Sequence, residues 1–426
     1  MKNYPEILFS NKQKIVVFVF FLALIVRLLL ILTNHTKNKF TDLNIYRETG
    51  QLVKSGINPY KYTEDLEIRN KLRLDTIAYD PSVSQTQESW DYYTSSNLPM
   101  SSLHYGLIDK ITNSNPVAFR IIFSFFDSVL SVIVVLFLIK YWKLTSTWLN
   151  LILVLGAAAL SPTLLLWGSI VPEDKGLQTL FMLLAVWLAK DKKWILSSVL
   201  LGISVAYKGL GIFISPLCLF FIMGQPENIF RINSSQLKKG AIYTLLSLFF
   251  AAIWFLPYMP EVISMMLGRL SSNLNVDPGH GSIWTIVYKS FPEYWVYIKS
   301  TLIIVISLIW SYTFLFKKLN IPAISLFLLV LFVDIMLLQG SLDRMNIGIM
   351  ISMILFCFID IKYCRILVWY TIIASWPLYI RSLINGNPDE TIDGLFTIGY
   401  LIIFTLYPIY YLYKTKSSPM QDSMTA

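Results

Sequence analysis

Cysteine and charge are both scarce in this sequence. It has three cysteines among 426 residues, and 14% of its residues are charged, whereas a soluble domain carries roughly a quarter. Cys218, Cys357 and Cys364 include no pair with the spacing of metal ligands, and the first two lie inside apolar runs. Neither a structural disulfide nor a zinc site is therefore expected, and the composition favours a membrane protein.

Signals for soluble nucleotides and for nucleic acids are also missing. No GxxxxGK followed by Ser or Thr, and no GxGxxG after a strand pattern, occurs in the chain, so a soluble nucleotide donor has no support. The formal net charge is +9, but no basic segment is interleaved with aromatic residues in the manner of a stacking groove. Basic cytoplasmic loops explain this charge better than a nucleic-acid partner does.

Long apolar runs are what the sequence does contain, and they recur along its whole length. This pattern predicts an all-α polytopic membrane protein, one domain over residues 1–426 with about twelve transmembrane helices. The first run ends without a small-residue cleavage site, which favours a retained helix over a signal peptide. The predicted spans are 14–33, 117–139, 147–166, 176–189, 194–207, 210–223, 240–257, 298–316, 321–338, 345–361, 366–383 and 395–413.

The basic residues alternate between the two ends of these spans. Each short turn on one side has at least two Lys or Arg residues, and each short turn on the other side has at most one. The positive-inside rule then places both termini in the cytoplasm, in the inner membrane if the protein is bacterial. The basic side carries Lys140, Lys143, Lys190, Lys192, Lys193, Arg231, Lys238, Lys239, Lys317, Lys318, Lys362, Arg365, Lys414 and Lys416; the other side carries Lys175, Lys208, Arg344 and Arg381.

Two long loops, 34–116 and 258–297, are predicted on the extracytoplasmic side. The first opens with Asp42 and continues as a half-apolar helix pattern through Leu52 and Val53, which ends at the Gly/Asn/Pro turn of 56–60. A second amphipathic pattern follows Pro99, with its apolar positions at Leu103, Leu107, Ile108 and Ile111. A carboxylate on a helix that can lie on the membrane surface is a candidate reaction centre.

The unusual polar residues all fall on this same side. A charge in the hydrocarbon region costs about 2.5–3.5 kcal/mol on insertion scales, so several charges together predict a water-filled or ligand-filled cavity. The candidates are Asp42, Arg120, Asp127, Glu173, Asp174, Lys175, Lys208, His280 and Arg344.

Each candidate also has a purely structural interpretation. Arg120 and Asp127 are seven residues apart on one helical face and can simply pair with each other. Lys208 can extend to the headgroups, and His280, between two glycines, can be an ordinary turn residue. The segment 173–175 can be the solvated tip of a helical hairpin, although Pro172 and the flanking glycines favour a tight turn with a function.

Taken together, these groups suit transfer of a group from a lipid-linked phosphate. A carboxylate can act as general base on an acceptor hydroxyl. Cations from Lys175, Lys208 and Arg344, with His280, can hold a phosphate and stabilise its developing charge. No metal or other cofactor is predicted.

Five segments in this order resemble the GT-C superfamily of integral-membrane glycosyltransferases. They cover most of the chain, and their order and sidedness are more specific than any one of them. They are Thr41-Asp42 with Tyr46 and GINPY at 56–60; LPMSSL at 98–103; WGSIVPEDKG at 167–176; AYK at 206–208 with ISP at 214–216; and DRM at 343–345.

The resemblance implies transfer of a sugar from a polyprenyl-phosphate donor to a glycan or lipid-linked acceptor, with inversion. It implies Asp42 as the first candidate for the base and Glu173 or Asp174 as the second carboxylate. Lys175, Lys208 and Arg344, with His280 and Arg120, would bind the lipid phosphate. The metal-dependent branches have D-x-D or D-x-E where this sequence has Thr41-Asp42. In this respect the sequence is similar to the metal-independent branches. Mannose is the first sugar to expect.

Two other classes of function stay open on the sequence. A flippase, a polymerase or another lipid transporter would use the same cations without a base, and would also need charges along the cytoplasmic half of its path. A non-catalytic membrane subunit would tolerate the loss of Asp42 and Glu173 together.

Overall fold

The described part of the protein is helical, with no strand among its residues. The computed structural model describes residues 12–33, 41–60, 97–142, 147–165, 168–169, 173–224 and 232–272, with single residues and short stretches between 288 and 305 and between 365 and 380. The α-helices are α1 Lys12–Thr33, α2 Thr41–Lys54, α3 Pro99–Thr112, α4 Pro116–Trp142, α5 Trp148–Val154, α6 Pro162–Leu165, α7 Lys175–Lys190, α8 Trp194–Lys208, α9 Ser215–Ile222, α10 Ser234–Phe255 and α11 Glu261–Ser272.

Three helical segments are long and apolar enough to cross a membrane: Gln13–Thr33, Pro116–Lys140 and Ser234–Tyr258. The expected helical class is confirmed for the described residues, and these three candidate spans agree with the expected membrane protein. The predicted spans 321–338, 345–361 and 395–413 lie outside the described residues, so the count of twelve stays a prediction.

Most of the described helices surround one apolar core. Buried aliphatic and aromatic side chains from α1, α4, α7, α8 and α9 form a continuous cluster. Phe137 on α4 meets Trp187 on α7 with their rings edge to face and 4.7 Å between centroids. Gly202 lets α8 approach α10 so closely that a Cβ there would lie 2.7 Å from the Ser247 carbonyl oxygen. Small residues at such contacts bring helix backbones together.

The predicted span 147–166 is not one continuous helix, which corrects the expectation from its apolar length. The α-helix ends at Val154, a π-helical turn covers Leu155–Ala159, and a short α-helix resumes at Pro162. Pro162 has no N–H to donate to the Ala158 carbonyl. That carbonyl accepts from the Ser161 N–H at 3.3 Å and from the Ser131 hydroxyl at 3.2 Å. The break therefore exposes backbone oxygens to side chains of neighbouring helices.

The two helices of the first long loop, α2 and α3, pack against each other through glycines. A Cβ at Gly50 would lie 2.7 Å from the Tyr105 carbonyl oxygen, and one at Gly106 would lie 2.5 Å from Val53 Cγ1. As predicted, α2 ends just before Gly56, whose φ is +73°. The pair is thus a fixed platform outside the bundle core.

The apolar pattern assigned to α3 is only partly correct. Ile108 is buried, but Leu107 and Ile111 are exposed, with 59% and 71% of their surface accessible. The buried face instead combines the large side chains of Tyr105 and Ile108 with the small or polar residues Ser101, Ser102, Gly106 and Asp109. Ser101 donates to the Tyr207 carbonyl of α8 at 3.0 Å, and Gly106 faces Val53 of α2.

Tyr60 joins the two long loops. Its ring is buried with Val262 and Met265 of α11 and lies 5.3 Å from the ring of Tyr258. Its hydroxyl donates to the Asn97 carbonyl at 2.7 Å. The two loops that the sequence assigns to one side are therefore in contact.

The lysine-rich turns lie together at the opposite end of the bundle. Lys140 at the end of α4 pairs with Asp191 after α7 at 3.3 Å. Lys192 donates to the Phe221 carbonyl near the end of α9. Since α7 runs from Lys175 to Lys190 and α8 runs back to Lys208, the residues Asp174 and Lys208 occupy the other end.

Candidate functional site

A buried ion pair forms the centre of the candidate site. Asp174 directly precedes α7, and Lys208 is the last residue of α8. The Lys208 ammonium contacts Asp174 Oδ1, and the two side chains are 17% and 0% exposed. Gly209, with φ of +78°, ends α8 immediately afterwards. Lys208 therefore turns inward to the carboxylate and not outward to headgroups.

Three aromatic residues complete the surroundings of Asp174. The Tyr105 hydroxyl donates to Asp174 Oδ2, and the Tyr207 hydroxyl also hydrogen-bonds to the carboxylate. His104 Nδ1 lies 2.9 Å from the Tyr207 oxygen. Asp174 is thus the end of a hydrogen-bonded chain.

The charge state of this cluster follows from its contacts. Burial alone would raise the pKa of Asp174, but Lys208 and the two tyrosine hydroxyls hold that pKa below its usual value. Burial lowers the pKa of His104 to about 4, against the opposing effect of Asp174. At neutral pH the cluster therefore contains an ionised Asp174 carboxylate and a neutral His104 imidazole. A carboxylate held ionised in this way is a weak proton acceptor.

Tyr46 connects this centre to the helix that carries Asp42. Its ring stacks on Tyr105 with centroids 4.6 Å apart, and the Lys208 ammonium lies 5.6 Å from its ring centroid. Asp42 is the second residue of α2, one helical turn before Tyr46. Residues four apart on a helix share a face, with Cβ atoms about 5–6 Å apart. The Asp42 side chain itself lies outside the described residues.

Glu173 and Lys175 form a second ion pair beside the first. Glu173 and Asp174 are 6% and 2% exposed, so a solvated hairpin tip is the wrong interpretation of this segment. Both lysines expected at the phosphate are engaged with carboxylates of the same segment. The acids and cations of the predicted site are therefore brought together as two ion pairs, Glu173 with Lys175 and Asp174 with Lys208.

Arg120 supports the same segment from α4. Its guanidinium donates to the Ser169 carbonyl from Nη2 at 2.6 Å and from Nε at 3.2 Å. The Ser124 hydroxyl lies 3.1 Å from that of Ser169. Arg120 is fully buried, so its contacts assign it to holding the backbone before Glu173.

Asp127 packs between the two glycines that flank the acidic segment. A Cβ at Gly168 would overlap Oδ2 of this carboxylate, and a Cβ at Gly176 would overlap Oδ1. Arg27 of α1, also fully buried, interacts electrostatically with Asp127 and donates to the Ala159 carbonyl at 3.1 Å. The segment is thus placed by polar side chains of α1 and α4.

We expect Gly168→Ala and Gly176→Ala each to lower the thermal-unfolding midpoint, because the added methyl group overlaps the Asp127 carboxylate. Overpacking of this kind costs about 1–3 kcal/mol. Combining Gly176→Ala with Asp127→Ala removes the overlap, so the double variant should lose less than the sum of the two single variants. Gly224→Ala is not a suitable control, because the φ of Gly224 is +84°. Ser234→Ala, at the exposed start of α10, is the suitable control. Additive losses would contradict the close contact.

The sequence missed four residues of this site as functional candidates. Tyr46, His104, Tyr105 and Tyr207 line the Asp174–Lys208 pair. Tyr46 and Tyr207 stood only as members of the motif segments, and His104 and Tyr105 carried no distinguishing signal. Arg27 was detectable, because a charge inside the apolar run of 14–33 is itself unusual. The predicted phosphate ligands His280 and Arg344 lie outside the described residues.

Comparisons with protein-family models, with curated proteins and with solved structures give no match to this chain. The candidate function therefore depends on the site's geometry together with the motif order.

Proposed function

We propose that this chain is a GT-C-like glycosyltransferase of the membrane, with about twelve spans and both termini in the cytoplasm. It moves one sugar, mannose being the first to test, from a polyprenyl phosphate to a glycan or lipid-linked acceptor on the extracytoplasmic side. The transfer inverts the anomeric centre and uses no metal.

One observation supports this proposal more than any other. The Asp42 helix, more than a hundred residues away in the sequence, meets the acidic turn of 173–175 and Lys208 around one buried ion pair. This meeting point lies at the end of the bundle opposite the lysine-rich turns. A site that collects acids and cations at one end of a helical bundle suits a reaction at the membrane surface.

The proposed reaction has one displacement step. The acceptor hydroxyl oxygen attacks the anomeric carbon of the donor, its proton passes to the Asp42 carboxylate, and the bond from the anomeric carbon to the phosphate oxygen breaks. The electron pair of that bond leaves with the phosphate, which changes from a singly charged diester to a monoester of greater negative charge. Cations near that oxygen stabilise the transition state.

The described contacts divide the remaining roles. Asp174 accepts three polar contacts and is held ionised, so it positions Lys208 and does not take the proton. Lys208, fixed by Asp174 and Tyr46, supplies positive charge at the site, with Lys175 beside Glu173. Arg344 is proposed at the phosphate through the motif resemblance alone, and His280 through its place in the second long loop of the same predicted side.

Transfer from a lipid donor by the purified protein tests the proposal. The full chain is reconstituted in liposomes with a polyprenyl-phosphate-linked radiolabelled mannose and a panel of glycan acceptors. We expect labelled glycan and an equal amount of free polyprenyl phosphate. Equal transfer from a nucleotide sugar would overturn the donor class, and movement of intact donor between leaflets without glycan product would favour a flippase.

A further inference from the structure

The second charged cluster of the molecule lies at the opposite end of the bundle from Asp174. Lys192, in the turn between α7 and α8, has a φ of +62°. Its side-chain nitrogen donates to the Phe221 carbonyl of α9. Gly240 of α10 packs on this end of α9, where a Cβ would lie 2.9 Å from the sulfur of Met223. The start of α8, the end of α9 and the start of α10 therefore meet here.

This contact gathers positive charge. Lys239 precedes Gly240 on α10 and lies near enough to Lys192 that the two repel. Burial, and then this neighbouring cation, lower the pKa of Lys192. Lys193 directly follows Lys192, and Lys238 directly precedes Lys239. The side chains of all four lysines are exposed.

The contrast with Lys140 at the same end of the bundle is informative. Lys140 is paired with Asp191 at 3.3 Å and lies over the Trp187 ring at 4.9 Å. Within the described part of the chain, no carboxylate pairs with Lys192, Lys238 or Lys239. Cations held close together without an acid favour binding of an anion, which relieves their repulsion.

The surface beside these lysines is apolar. Trp194, Ile195 and Leu196 at the start of α8 are exposed, and so are Leu237 and Ile242 on α10. The two helices pack together, with the Ser197 and Tyr243 hydroxyls 2.8 Å apart. An anion that binds here is thus next to a surface suited to acyl chains. A tryptophan at the boundary is also typical of the headgroup level of a membrane.

We propose that Lys192 and Lys239, flanked by Lys193 and Lys238, bind the phosphate headgroup of an anionic phospholipid in the leaflet facing the lysine-rich turns. Basic pockets between membrane helices bind anionic headgroups by the same combination of charge and apolar contact. Such a lipid would link α8, α9 and α10. This inference requires a membrane protein but does not depend on sugar transfer.

Lipid titration of the full-length protein in detergent tests this site. Native mass spectrometry counts bound lipid, and thermal unfolding measures stabilisation, with phosphatidylglycerol, phosphatidylcholine and free glycerol 3-phosphate as probes. We expect phosphatidylglycerol to bind and to raise the unfolding midpoint. Lys192→Gln with Lys239→Gln should weaken its binding about 25-fold, since each lysine near an anionic lipid surface contributes about fivefold.

The matched control removes the same charge in the two long loops of the other side, by Lys110→Gln with Lys289→Gln, and should retain binding. If the Lys192 change prevents folding, Lys238→Gln with Lys239→Gln leaves the Lys192–Phe221 contact intact and should still weaken binding. Equal binding of phosphatidylcholine, equal weakening in the control, or equal stabilisation by glycerol 3-phosphate would each overturn the proposal.

Discussion

Asp174→Asn should destabilise the protein by about 3 kcal/mol, because it leaves the Lys208 ammonium without its carboxylate in a site that is largely closed to water. The Tyr105 and Tyr207 hydroxyls would also lose their charged acceptor. Thermal unfolding of the purified protein measures this loss. Sugar transfer should fall with it, because Lys208 would no longer be held over Tyr46.

Lys208→Met tests the same pair from the cationic side. It leaves a buried carboxylate and should be destabilising to a similar degree, while Asp174→Asn combined with Lys208→Met removes both charges and should recover part of the stability. The matched control is Asp191→Asn, which breaks the half-exposed pair with Lys140. A surface pair is worth about 0–1 kcal/mol. Equal losses from Asp174→Asn and Asp191→Asn would contradict a buried centre.

The acid limb of stability gives a second measurement on Asp174. Its folded pKa is depressed, so its contribution is fully present above the unfolded value of about 4 and disappears as the pH falls through the lower folded value. The wild type should therefore lose its stability advantage over Asp174→Asn only at acidic pH.

Asp42→Asn should reduce sugar transfer about 10²–10⁴-fold, the usual contribution of a general base, while the unfolding midpoint stays close to that of the wild type. The amide occupies nearly the same space but cannot accept the proton of the acceptor hydroxyl. Initial rates in reconstituted liposomes at equal protein amounts measure this effect. Asp42→Glu, which retains a carboxylate on a longer arm, should retain more activity than the amide.

Two outcomes would redirect this assignment. A wild-type rate from Asp42→Asn excludes Asp42 as the base and returns attention to Glu173. A rate that falls together with the unfolding midpoint indicates a structural role at the start of α2. Asp191→Asn serves again as control, since it removes a carboxylate at the other end of the bundle and should leave transfer unchanged.

Several local features could be predicted because they depend only on near neighbours. The helical period of 45–53 and the turn at Gly56 specify α2, and Pro99 marks the first residue of α3. Lys208 and Asp174 stood out because charges near apolar spans are costly and need a reason. These conclusions depend on the backbone conformations of neighbouring residues and on whether each segment prefers water or lipid.

Other features could not be read from the sequence because they depend on distant contacts. The apolar run of 147–166 gives no sign of its π-helical turn, whose carbonyls also accept from the side chains of Ser131 and Arg27. The buried face of α3 carries serines whose partners are distant in sequence, the Tyr207 carbonyl for Ser101 and the Tyr60 hydroxyl for Ser102. Its glycine, Gly106, lies at the close contact with Val53 of α2.

The amino-acid sequence by itself indicated the class of this protein, a helical membrane chain, and predicted that its acidic and basic candidates lie on one side. Charge and apolar length are enough for that, because each residue pays its own cost of transfer into lipid. Only the tertiary structure decided which carboxylate meets which cation. Asp174 pairs with Lys208 and Glu173 pairs with Lys175, and Tyr46 joins the Asp42 helix to them, because helices distant in sequence pack within contact distance.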